Sequence, residues 1–203
     1  MLDLYKYSKK NWLYNFLFTK ILRIEVNTLS QEFFYKENIN LNFKESFFYD
    51  YREINNTTKW SGCYNDDLPY QSNHDLQRLN ELKEPIEILE KLLNDKVKKR
   101  IFKKNCIGKF KIKSLWFTIQ KKNLGHSQQM HNHPKSTLSG VSYFKVEKNS
   151  GGELNLYFQN KKKEFIPETN DMIIFNSNVF HSVNSYYGKS DRIAIAWDAM
   201  YTF

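Results

Sequence analysis

From residue 109 onward, the apolar positions alternate with polar ones at a period of two. Over Lys109 to Lys121, Leu115, Phe117 and Ile119 share one face while Trp116 and Thr118 share the other, which predicts a strand. Leu138 to Val146, Glu153 to Gln159, Asp171 to Asn176 and Arg192 to Trp197 read as further short strands. Between them lie Asn149-Ser150-Gly151-Gly152, a Lys-rich turn, and the polar stretch Tyr186 to Ser190. Short strands at this spacing predict a β-sandwich, barrel or jelly roll.

The pattern is different upstream. Leu76, Leu79 and Leu82 recur at helical spacing behind Asp75, a suitable N-cap. Pro85 stops that helix and fits the first turn of another, whose stripe is Ile86, Leu89, Leu93 and Val97. Lys96, Lys98, Lys99 and Arg100 crowd its C-terminal end, where cations complement the helix dipole. Residues 10–23 predict an amphipathic helix packed on the main domain, and residues 28–72 irregular connections with a strand at Leu41 to Phe48. The expected fold class is α+β. A helical and irregular region, 1–104, packs on a C-terminal double-stranded β-helix, 105–203, in one compact domain.

Composition narrows the function classes. The chain of 203 residues is long enough to bury a sizeable core, and 16% aromatic residues exclude disorder. Cys63 and Cys106 cannot form a disulfide framework and match no zinc spacing, which points to a reducing, cytoplasmic setting. No apolar run is long enough to span a membrane. The net charge of +9 raises the question of an anionic partner, yet the lysines are dispersed and Arg is scarce. A solvated lysine surface is the expectation, with no nucleic acid as partner.

Five histidines carry the candidate chemistry. In His131-Asn132-His133, two imidazoles two residues apart on an extended segment point to one side, with Cα atoms about 7 Å apart. That spacing suits two ligands of one metal. His181 is the best remaining third ligand, and such a set suits iron, zinc, copper or nickel as in cupin-type sites. The same His-x-His also fits two surface histidines. Eleven positions after His181, Arg192 shares a strand face with Ala194, Ala196 and Asp198. A guanidinium beside two small residues suits bidentate binding of a carboxylate, and an edge-strand ion pair fits the residues equally. Trp116 and Trp197 read as core aromatics, His126 as a loop residue, and His74 as lying near a helix start.

The stretch from Gln129 to Phe144 (QMHNHPKSTLSGVSYF) resembles the signature H-x-H-P-x-S-x-L-S-G-V-x-Y of a family of 2-oxoglutarate/Fe(II)-dependent oxygenases. Gly151 to Phe158, Pro167 to Ser177, Phe180 to Val183 and Arg192 to Trp197 follow in the order of that family's later motifs, so the resemblance covers about residues 110–198. It implies a jelly roll that binds Fe(II) and the cosubstrate 2-oxoglutarate. Dioxygen then decarboxylates the cosubstrate to succinate and a C–H bond of a small molecule or protein side chain is hydroxylated. Carried over by position, His131, His133 and His181 are the metal ligands and Arg192 binds the distal carboxylate of 2-oxoglutarate.

Two departures from the pattern stand out. The usual triad is two His and one carboxylate, and His133 stands where the carboxylate belongs. Three neutral imidazoles leave the metal one unit more positive. Asp171 falls in the turn before a strand and is not counted. Ala194 replaces a Ser that would share the distal carboxylate with Arg192, and Ser139, Tyr143 or Tyr157 could replace that hydroxyl. Asn170 replaces a turn Gly and tolerates the left-handed region. These departures keep two other readings open: a three-His cupin-type metalloenzyme without 2-oxoglutarate, and an inactive jelly-roll binding protein.

Overall fold

The computed structural model describes residues 32–54, 70–102, 107–122, 124–159 and 161–202. The helix expected at 10–23, Cys63 and Cys106 lie outside the described residues. The described strands are β1 (Phe34–Asn38), β2 (Tyr70–Gln71), β3 (Lys109–Gln120), β4 (His126–His131) and β5 (Leu138–Lys145). They continue with β6 (Leu154–Phe158), β7 (Lys161–Phe165), β8 (Asp171–Asn176), β9 (Phe180–Tyr186) and β10 (Arg192–Thr202). A six-stranded sheet of order β1-β8-β5-β10-β3-β2 faces a four-stranded sheet of order β4-β9-β6-β7, and neighbouring strands in both run antiparallel. This is a jelly roll with few helices.

The alternation of the large sheet sends side chains into two separate cores. Tyr143, Ile173, Phe175 and Ala194 point inward, against Leu154, Leu156 and Phe165 of the small sheet. Met172, Ile174, Ile193, Ile195 and Trp197 point the other way, into a larger core with Leu89, Leu93 and Val97. Arg192, Ala194, Ala196 and Asp198 therefore sit on the inner face of β10, between the sheets.

Three α-helices lie in the described part of the N-terminal half. The first, α1 (Glu45–Ile54), overturns the strand expected at Leu41 to Phe48. Phe43, Phe47 and Tyr51 recur every four residues, a helical stripe, and Phe48 packs edge-on to Phe117 with ring centres 5.0 Å apart. Aromatic residues favour strands as a class, but burial here rewards the helical spacing. In place of the helix expected from Asp75, two 3₁₀ turns cover Leu76–Arg78 and Asn80–Leu82, and the Asp75 side chain makes no capping bond. Then α2 (Lys83–Leu92) runs through a π turn at Leu93–Val97 into α3 (Lys98–Ile101).

Side chains from this segment cover an edge of the large sheet. Strand β2 pairs with only two residues of β3, leaving most of that edge open. Ser72 Oγ accepts from Phe117 N, Gln77 Oε1 from Leu115 N, Glu90 Oε1 from Ile112 N, and Asn94 Oδ1 from Phe110 N. Gln77 and Asn94 also donate to the carbonyls of Lys113 and Phe110. Polar side chains thus complete a ladder that a neighbouring strand would otherwise make.

The basic residues have local partners as well. Lys96 pairs with Glu37, Lys98 donates to the Gly108 carbonyl, and the Arg100 guanidinium lies 4.7 Å from the centre of the Tyr35 ring. The Lys-rich segment 161–163, expected as a turn, is the start of edge strand β7. Charged side chains on an exposed edge are one means of discouraging further pairing.

Candidate active site

Strand β4 carries two irregularities in its pairing with β9, the second between Gln128 and His131. A bulge re-aims the residue that follows it, and here it sets His131 opposite His181. Directly paired residues share a face, so both imidazoles turn toward the large sheet. His133 lies beyond the end of β4, where its backbone N–H donates to the Ser177 carbonyl at 2.8 Å. The ring centres are 4.2 Å apart for His131 and His181, 5.1 Å for His131 and His133, and 5.2 Å for His133 and His181. One nitrogen from each lies within 4.8 Å of the other two.

Hydrogen bonds decide which nitrogen is free. Nδ1 of His131 is 2.8 Å from the Gln129 carbonyl, Nδ1 of His181 is 3.1 Å from the Val179 carbonyl, and Nδ1 of His133 is 3.0 Å from Asp198 Oδ2. A carbonyl or carboxylate oxygen can only accept, so each Nδ1 carries a proton, and in a neutral ring Nε2 then keeps its lone pair. Burial pushes the His181 imidazole down to about 3, with His131 as a lesser cause, and burial also lowers His131. Neutral imidazoles with convergent Nε2 lone pairs are what a metal ion requires.

Across the cavity lies Arg192, buried to 2% of its surface. Its Nη1 donates to Gln120 Oε1 and its Nη2 to the Gly152 carbonyl at 3.3 Å. Among the described residues no carboxylate forms an ion pair with it. Its Nε has no hydrogen-bond partner, and neither has the hydroxyl of Tyr143, whose ring centre is 5.0 Å from the guanidinium carbon. Burial raises the Tyr143 phenol to about 12, against the opposing pull of Arg192, so it stays protonated and able to donate. Arg192, Tyr143 and the three histidines line one cavity. A buried cation among neutral groups, with two idle donors beside it, is a site suited to an anion.

The other hydroxyls expected near Arg192 are placed elsewhere. Ser139 pairs with Asp198 in the β5–β10 register, whereas Tyr143 pairs with Ala194. Ser139 therefore sits toward the His133 end, and its hydroxyl donates to Asp198 Oδ1 at 2.6 Å. The register thus sets Ser139 apart from Arg192 along β10, although both line the same cavity. Tyr157 is bonded to Ser182 Oγ at 2.9 Å on the face of the small sheet turned away from the histidines. Asp171 is ion-paired with Lys36 at 2.7 Å, and Asn170 has a φ of 70°.

Three further residues at the site carry no motif. Asp198 joins His133 to Ser139, Gln120 anchors Arg192, and Trp116 stacks on His133 with ring centres 5.5 Å apart at 10°. His74 stacks in turn on Trp116 at 4.3 Å and 4°. The face that Asp198 shares with Arg192 on β10 was the one available sequence signal. His126 opens β4 and is not a loop residue.

Residues 119–197 match the family model described as the 2OG-Fe(II) oxygenase superfamily. The match covers 79 of the 203 residues, and it supports an oxygenase activity that depends on Fe(II) and 2-oxoglutarate. No curated protein matches the chain in sequence. Among solved structures, the fold is similar to a prolyl-4-hydroxylase from Pseudomonas putida, at 13% identity over 87% of this chain and 93% of that one, with a TM-score of 0.53. It is also similar to a viral collagen prolyl hydroxylase from Paramecium Bursaria Chlorella virus-1, in complex with 2OG, at 15% identity, 85% and 99% coverage and a TM-score of 0.57. A non-heme alpha ketoglutarate dependent carbocyclase from nogalamycin biosynthesis shares 10% identity over 88% of this chain and 85% of that one, with a TM-score of 0.60. At these identities the likenesses bear on the fold.

Proposed function

We propose that this oxygenase is a hydroxylase. Its Fe(II) is held by Nε2 of His131, His133 and His181, and the distal carboxylate of 2-oxoglutarate is held by Arg192 and Tyr143. The substrate is a small molecule or a protein side chain. The observation that carries the reading is the buried Arg192, without a carboxylate among the described residues, in the same cavity as three imidazoles with free Nε2 lone pairs. Hydroxylation is the outcome proposed because two of the similar folds are prolyl hydroxylases; the carbocyclase shows that fold alone does not decide it.

The bound metal and cosubstrate supply the oxidising chemistry. The chain supplies position and environment. Gln120 and the Gly152 carbonyl hold the guanidinium in plane, so that its remaining N–H donors meet a carboxylate without rearrangement. Tyr143 keeps its proton and donates to the same anion. Phe175, Leu154 and Val183 line the cavity between Arg192 and the histidines and exclude bulk water. The helical segment 83–101 is read as part of the same unit, because its buried side chains share the outer core of the sheet that bears Arg192.

Succinate formation from 2-oxoglutarate in air tests the reading. The wild-type chain with Fe(II) should form succinate, and His181→Ala and Arg192→Ala should not. Metal-dependent oxidation without any need for 2-oxoglutarate would instead select the three-His cupin-type enzyme.

A further inference from the structure

Three neutral imidazoles leave a divalent ion with one negative charge fewer than two His and a carboxylate would. One carboxylate in the structure stands directly behind that site. Asp198 is buried, and its partners among the described residues are His133 Nδ1 on Oδ2 and Ser139 Oγ on Oδ1. It forms no ion pair with Lys or Arg there, although a buried carboxylate without a compensating cation is costly. The β10 ladder against β3 is irregular between Asp198 and Ala199, whereas against β5 Asp198 stays in register with Ser139. Trp116 stacks on the face of His133, so the ring is held by Asp198 at one edge and by an indole on its plane.

We infer that Asp198 is a positioning residue that returns, through His133, the negative charge missing from the ligand set. Ser139 is its anchor. The inference rests on the reading of the three histidines as metal ligands. A carboxylate that accepts from Nδ1–H fixes the tautomer, orients the ring and raises the basicity of Nε2, and the cation beyond the ring in turn offsets the buried charge. The chain thus keeps one carboxylate for the metal and holds it one residue further out.

The test uses the full chain, with Co(II) as the probe under anaerobic conditions. Affinity is measured by titration and the ligand field by the visible d–d bands, for wild type, Asp198→Asn, Ser139→Ala and His181→Ala. Asp198→Asn keeps the shape and removes the charge, so Co(II) affinity should fall about 10–100-fold and the bands move to lower energy. The melting temperature of the metal-free protein is measured alongside, so that any loss of affinity is read against any loss of stability. Ser139→Ala should give a smaller loss of affinity. Co(II) affinity and bands in Asp198→Asn unchanged from wild type would overturn the inference and leave the three-His site intact. So would a fall in metal-free stability that accounts for the lost affinity. Absence of Co(II) binding by the wild type, or undiminished binding by His181→Ala, would overturn the ligand assignment and the inference with it.

Discussion

The Arg192 guanidinium carbon lies 5.0 Å from the centre of the Tyr143 ring, and Arg192 Nε and Tyr143 Oη are both buried without hydrogen-bond partners among the described residues. Orphaned buried polar atoms are rare, and each costs about 1–3 kcal/mol when nothing pairs with it. Two at one point, beside a cation, form a preorganised anion site. Tyr143→Phe should therefore leave the stability of the ligand-free protein unchanged or slightly higher. Its affinity for 2-oxoglutarate should fall roughly tenfold or more, the worth of one hydrogen bond to a charged group. Calorimetric titration and thermal melts of the same samples check both halves.

Gly152 holds Arg192 from the other side. Its φ is 76°, its carbonyl accepts from Arg192 Nη2, and a Cβ placed there would lie 3.0 Å from Arg192 Nε and 3.2 Å from Cδ. Gly152→Ala should lose about 1–2 kcal/mol of stability from the backbone alone. It should also weaken 2-oxoglutarate binding, because the new methyl presses on the one idle nitrogen of the guanidinium. Denaturant midpoints measure the first effect, and the 2-oxoglutarate Kd the second.

Asn94 has no part in the site and serves the sheet edge. Its side chain pairs with both the N–H and the carbonyl of Phe110 and donates to the Glu90 carbonyl at 2.7 Å. Asn94→Ala should destabilise the protein by about 1–3 kcal/mol, the cost of leaving partly buried backbone groups unmatched. Metal and 2-oxoglutarate affinities, measured well below the melting point, should not change.

The parts of the fold that the sequence displayed are those in which one strand has two unlike faces. β8 and β10 read as runs buried on both faces because each separates two cores, β3 alternates over its first half, and Arg192, Ala194 and Ala196 could be placed on one inner face from sequence alone. His131, His133 and His181 were visible through their spacing and order. β4 was not, because its two irregularities break the period and its residues are mostly polar. Strand β7 was concealed by lysines that an exposed edge tolerates, and α1 by aromatic residues whose spacing every four positions was outweighed by their preference for strands. The link from Asp198 to His133 joins residues 65 positions apart through a bulge, and no local pattern encodes it.

The measurement that bears most directly on the site is an anaerobic titration of the metal-free protein with Fe(II) and then 2-oxoglutarate, followed by visible absorption. A 2-oxoglutarate that chelates Fe(II) through its keto acid gives a metal-to-ligand charge-transfer band. One equivalent of each should develop that band in the wild-type chain. His131→Ala, His133→Ala and His181→Ala should fail to develop it, and Arg192→Ala should need a much higher concentration of 2-oxoglutarate. No band in the wild type, or a full band at one equivalent in His133→Ala or Arg192→Ala, would contradict the account.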